Sequence, residues 1–168
     1  MTHTDRPTRH FTLTWMLDAA PADVFRAWTD PDHLQWFYND RQPLPATPID
    51  LDLRVGGVWR QEMVIDESTA YITGGVYREI VPDEKLVFAF GATGGWPELD
   101  PDRLDESPLV TVTFERVGAR TELTLRMDLP PHISDDGVRE WLALGVREGW
   151  RDTVDRLAAL FERTATNV

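Results

Sequence analysis

The chain has 168 residues, is 42% hydrophobic and 27% charged, and carries a formal net charge of −12 with no cysteine. Its length suits one domain with a real core, and its acidity excludes a basic nucleic-acid surface and opposes docking on anionic lipid. The missing cysteines exclude disulfides, thiolate catalysis and zinc–thiolate sites.

Residues 1–9 are polar and are expected to form a flexible tail, with the domain spanning 10–163. The start has no apolar segment of the secretory type, and no stretch reaches the roughly 20 apolar residues of a membrane span. A soluble, cytoplasmic protein without membrane insertion is the expectation. Residues 10–18 alternate and are rich in Phe, Thr and Trp, which predicts a first strand. Ala20-Pro21-Ala22-Asp23 opens a short helix, with proline in its first turn and Asp23 where the dipole favours an acid. Val24, Phe25, Ala27 and Trp28 form its buried side. Thr29-Asp30-Pro31 ends it and starts a second short helix carrying Leu34, Trp36 and Phe37. A proline-rich connection follows. Strands are predicted over 49–53, 58–65, 70–81, 85–90, 109–116 and 121–129. Hairpin-length links between most of them predict an antiparallel sheet of seven strands. The stretch 91–108 lacks periodicity and reads as a long loop, a candidate flap with Trp96 as its apolar anchor.

The last third carries one sustained amphipathic pattern. Val138, Trp141, Leu142, Gly145, Val146, Gly149, Trp150, Val154, Leu157 and Phe161 keep helical spacing and predict a single long helix. Ser134 supplies its N-cap, and Asp135 and Asp136 follow in the first turn. One long helix after a run of strands suggests an α+β domain in which a curved sheet wraps the helix.

Catalytic motifs are missing. Ser68, Ser107 and Ser134 all lie in turn contexts, none in a nucleophile elbow. Gly91, Gly94 and Gly95 have the wrong spacing for a phosphate loop. His3, His10, His33 and His132 lack metal-ligand spacing, and His33 reads as a helix surface residue. Asp100, Asp102, Asp105 and Glu106 fail the spacing of a calcium loop. No metal, cofactor or catalytic residue is assigned, and whether the chain is an enzyme is left open, with binding favoured over catalysis.

The strand alternation says more, because side chains two apart share a face. Trp59, Gln61 and Met63 share one, as do Leu86, Phe88 and Phe90. Val110, Val112 and Phe114 form a third set, and Thr121, Leu123, Leu125 and Met127 a fourth. These faces should meet the long helix, with Tyr77 among them. Gln61 and Tyr77 then place polar groups on an apolar surface, the composition of a small-molecule site. The candidate ligand-binding residues are Trp36, Trp59, Gln61, Met63, Tyr77, Phe88, Phe90, Val112, Phe114, Met127, Trp141 and Gly145.

Phe11 to Trp36, with Ala20-Pro21-Ala22-Asp23-Val24-Phe25-Arg26-Ala27-Trp28, resembles the opening of the START-like, polyketide-cyclase-like (SRPBCC) superfamily. The branch it most resembles is named after the C-terminal domain of the activator of the heat-shock-protein-90 ATPase. Gly56-Gly57-Val58-Trp59 and the run from Gly75 to Phe88 are similar to its central strands, and Gly149-Trp150 through Leu157 to its closing helix. The resemblance implies a helix-grip fold, with a curved seven-stranded antiparallel sheet around a long C-terminal helix and two short helices after the first strand. It implies binding of a small hydrophobic or aromatic molecule between sheet and helix. The alternatives are a cyclase or hydrolase using Tyr77, Gln61 or Glu79, and a chaperone-interacting protein. A protein partner or a homodimer is compatible with either.

Overall fold

A computed structural model describes residues 8–38, 45, 48–93, 102–103 and 106–166. Seven strands form one antiparallel sheet in the order β1-β7-β6-β5-β4-β3-β2. They are β1 (His10–Leu17), β2 (Asp50–Leu51), β3 (Val58–Asp66), β4 (Thr69–Val81), β5 (Lys85–Thr93), β6 (Leu109–Val117) and β7 (Arg120–Asp128). Strand β5 runs three residues beyond the expected end, so 91–93 belong to the sheet rather than to the loop. Most of the remaining loop, 94–101 and 104–105 with Trp96, lies outside the described residues.

The sheet bends where its sequence permits. Register shifts fall between Val64 and Asp66 and between Tyr77 and Glu79, and such bulges increase local twist. Gly74 (φ +155°) sits where a Cβ would lie 1.8 Å from the Trp59 carbonyl oxygen. The approach of β3 to β4 therefore requires glycine there.

The concave face carries the side chains that alternation placed inward. Leu13, Leu17, Leu86, Phe88, Val110, Val112, Phe114, Leu123, Leu125 and Met127 are buried in one cluster. Helix α1 (Pro21–Thr29) covers part of it with Val24, Phe25, Ala27 and Trp28. Phe25 meets Phe114 edge-on, ring centroids 5.5 Å apart. The expected second short helix is instead two 3-10 turns, Pro31–His33 and Gln35–Phe37. Asp30 caps the first through the Asp32 amide, a bond that lowers its carboxyl pKa. Trp36 is pinned by its indole N–H to the Ala27 carbonyl at 2.9 Å.

The single long helix of the sequence reading is two helices. Helix α2 is Asp135–Ala143 and helix α3 is Val146–Thr166. Ser134 caps α2 by accepting from the Gly137 amide at 3.1 Å. The break falls at Leu144-Gly145, with Gly145 at φ +89°. A glycine in that left-handed conformation ends a helix by turning the chain. The Gly149 amide then donates to the Gly145 carbonyl at 2.8 Å and starts α3. Apolar spacing continues unbroken across this point, because face periodicity does not register one residue of left-handed backbone. Helix α3 crosses the concave side. Asp155 accepts from the Trp15 indole on β1 at 2.8 Å, and Trp150 reaches Phe90 on β5 at 4.8 Å between ring centroids.

A cleft between the sheet and the last helix

Beyond the solid core, sheet and helix part and leave a cleft of about 380 Å³. That is the lower range of small-molecule pockets. Its sheet wall is Met63 on β3, Tyr71 and Thr73 on β4, and Phe90 on β5. Met63 pairs directly with Tyr71 in the register, which sets the two side chains on one face. The helix wall follows helical spacing: Gly145, Gly149, Thr153 and Arg156, with Val146, Trp150 and Asp152 beside them. Phe37 closes the inner end.

Aromatic rings form the floor. Trp150 lies 5.9 Å from Phe37 and 4.8 Å from Phe90, and it stacks on Trp28 at 6.4 Å. Gly149, which is exposed, lines the open side of the cleft without a side chain. A Cβ at Gly149 would meet nothing within 4 Å. Leu144 stands at the mouth, 66% exposed.

The polar groups of the cleft are mostly engaged. Arg156 donates from Nε to the Trp36 carbonyl at 2.9 Å and from Nη2 to the Phe37 carbonyl at 3.0 Å, tying the 3-10 turn to α3. Thr73 donates to the Gly91 carbonyl at 3.2 Å, and Thr153 to the Gly149 carbonyl at 2.8 Å. Burial pushes the Tyr71 hydroxyl pKa upward.

Three of the twelve predicted residues line this cleft: Met63, Phe90 and Gly145. Trp36, Trp59, Gln61, Tyr77, Phe88, Val112, Phe114 and Met127 are buried in the core behind it. Trp141 is half-buried on α2 and is not part of the lining. Gln61 accepts from the Trp59 indole at 3.3 Å, and its Nε2 has no hydrogen-bond partner of ordinary geometry. Its polar neighbour is the Tyr38 hydroxyl, whose pKa burial raises and the Gln61 amide works to lower. Burial drives the Tyr77 hydroxyl well above its usual pKa, so it stays protonated. Glu79 pairs with Lys85 at 3.2 Å and borders a different depression. Tyr77, Gln61 and Glu79 are thus not brought together at one point. Phe37, Tyr71, Thr73, Gly149, Trp150, Asp152 and Arg156 were not singled out as ligand-binding residues from the sequence. The available sequence signal was the pair of glycines at 145 and 149, four residues apart in an otherwise bulky apolar stripe.

A broader depression of about 720 Å³ lies beside Val87, Ala89 and Leu109. It is bordered by Ser107, close to a stretch outside the described residues, and has no aromatic floor. Among the described residues, no three His, Asp or Glu side chains gather closely enough to hold a metal ion. Also among them, no helix is long and apolar enough to cross a membrane.

Residues 18–162 match the model of a family described as Activator of Hsp90 ATPase homolog 1-like protein. No curated protein matches the chain. Solved structures do. A Chromobacterium violaceum protein is 24% identical with a TM-score of 0.65, covering 92% of this chain and 97% of its own. A Mycobacterium smegmatis protein is 21% identical with a TM-score of 0.71, covering 93% and 92%. A Nitrosomonas europaea protein is 19% identical with a TM-score of 0.72, covering 94% and 96%. These likenesses show the fold, an open antiparallel sheet with a long closing helix.

Proposed function

This chain belongs to the Activator of Hsp90 ATPase homolog 1-like family, with its SRPBCC helix-grip fold, and we propose that it binds a small aromatic molecule in the cleft. The observation that carries this reading is unfilled space over an aromatic floor. Three rings, Phe37, Phe90 and Trp150, line one side of it, and on the helix side the exposed Gly149 lines the open part with no side chain of its own. Phe90, Trp150 and Phe37 offer ring faces and edges that pair well with another ring.

The cleft can be filled by mutation as well as by ligand. Gly149→Leu should project its side chain into the space without displacing any neighbour. Calorimetric titration with naphthalen-1-ylmethanol should show saturable binding to the wild type and none to Gly149→Leu. Gly149→Ala should raise stability by about 1 kcal/mol, because alanine favours a helix interior over glycine. In melting temperature that is roughly 2–4 °C for a chain of this size. Absence of saturable binding to the wild type, or unchanged binding by Gly149→Leu, would overturn the reading.

The family description favours a second reading, docking on a chaperone of the Hsp90 type. Titration of the chaperone against wild type and Gly149→Leu tests it. Binding that ignores the variant, together with no binding of naphthalen-1-ylmethanol, supports docking by another surface.

A further inference from the structure

Resting on the reading that the cleft takes an aromatic molecule, we infer that its ligand carries a cationic group, such as a primary ammonium, that meets Asp152. The cleft has two features that could attract an anion, and each is already served by the protein. Arg156 donates to the carbonyls of Trp36 and Phe37, and its Nη1 reaches the Asp152 carbonyl at 3.5 Å, so its guanidinium is held by backbone oxygens and leaves the Asp152 carboxylate unpaired by it. The amino terminus of α3, which begins at the cleft, has its own acid at the third helical position. The Glu148 carboxylate folds back to 4.0 Å from the point a Cβ on Gly145 would occupy. An acid reaching back over its own first turn complements the amides and dipole there.

What remains for a ligand is acceptor capacity. The Thr73 and Thr153 hydroxyls spend their protons on backbone carbonyls and keep lone pairs. Asp152 lies on the same helical stripe as Gly145, Gly149 and Arg156, lines the cleft, and is exposed. Among the described residues its carboxylate makes no ion pair, while eight other acid–base contacts are formed. Among the described residues, the three buried side-chain donors without a partner of ordinary geometry, Arg9 Nη1, Trp28 Nε1 and Gln61 Nε2, belong to residues that do not line the cleft. The formal charge of −12 adds attraction for a cation at long range. Aromatic faces beneath an ammonium group add a cation–π contribution.

Three ligands with one ring system test the inference: naphthalen-1-ylmethanamine, naphthalen-1-ylmethanol and 1-naphthoate. Calorimetry on the full chain should rank them amine, alcohol, carboxylate, with the amine about fivefold tighter than the alcohol. Asp152→Asn should remove the amine's advantage and leave the alcohol's affinity unchanged. An advantage that survives Asp152→Asn reflects net charge alone and overturns the inference. So does carboxylate binding as tight as the amine's. In either case saturable binding of the alcohol leaves the cleft reading standing. Failure of all three ligands to saturate overturns both.

Discussion

Gly74→Ala is expected to cost about 3–5 kcal/mol and to leave little folded protein at physiological temperature. Two effects add. At φ +155° the backbone occupies a region that an alanine adopts only with strain. The new Cβ would also sit 1.8 Å from the Trp59 carbonyl oxygen and 2.7 Å from its carbon. Neither atom can move without breaking the β3–β4 register, in which Arg60 faces Gly74 and Trp59 faces Gly75. Trp59 in turn packs on Phe37 and Phe88, at 5.0 and 5.7 Å, so the disturbance reaches the core. Gly118→Ala is the control. Gly118 has φ +64° but nothing within 4 Å of its Cβ, so only conformational strain of about 1 kcal/mol is expected. Urea midpoints of the two variants separate the contributions. Equal, small shifts would mean that β3 and β4 lie farther apart than described.

Trp150→Ala should be nearly as damaging, at about 3–5 kcal/mol. Trp150 is 4% exposed. It joins three elements: Trp28 on α1, Phe37 in the 3-10 turn, and Phe90 on β5. Its loss would leave a void next to the cleft and release the helix from the sheet. The melting temperature should fall by roughly 10 °C or more. The neighbouring Arg151 is exposed, and Arg151→Ala should stay within about 0.5 kcal/mol of wild type. Comparable effects from both substitutions would place the wrong face of α3 against the sheet.

Much of the fold was legible because it depends on local periodicity. Alternation in Val110, Val112 and Phe114, and in Leu123, Leu125 and Met127, assigned strands and faces together. Ser134 with its following acids marked the start of α2. The break at Gly145 was not legible, because Leu142, Val146 and Trp150 keep the same helical spacing on either side of it. The end of β5 was missed for a related reason. Gly91 reads as a loop residue, yet it pairs with Gly74 where two strands approach without side chains.

The cleft was legible only as a class of feature. Alternation shows which side chains face inward, but it does not show how far the helices cover them. Trp59, Tyr77 and Phe88 are closed over by packing, whereas Met63 and Phe90, on the same strand faces, extend to where α3 presents glycine. Tyr71 and Thr73 lie near the end of a long strand, and their place in the cleft is set by the register with β3. That is tertiary information. Asp152 reads in sequence as an ordinary solvated acid, and only the partners taken by its neighbours distinguish it.

Methyl-resolved NMR during titration with naphthalen-1-ylmethanol tests the central claim most directly. The account predicts saturable shifts at the methyl groups of Met63, Thr73 and Val146, which line the cleft, with Leu125, Val112 and Met127 in the packed core unchanged. Shifts that begin at Leu125, Val112 or Met127, or that grow linearly without saturation at any of the six, would contradict it.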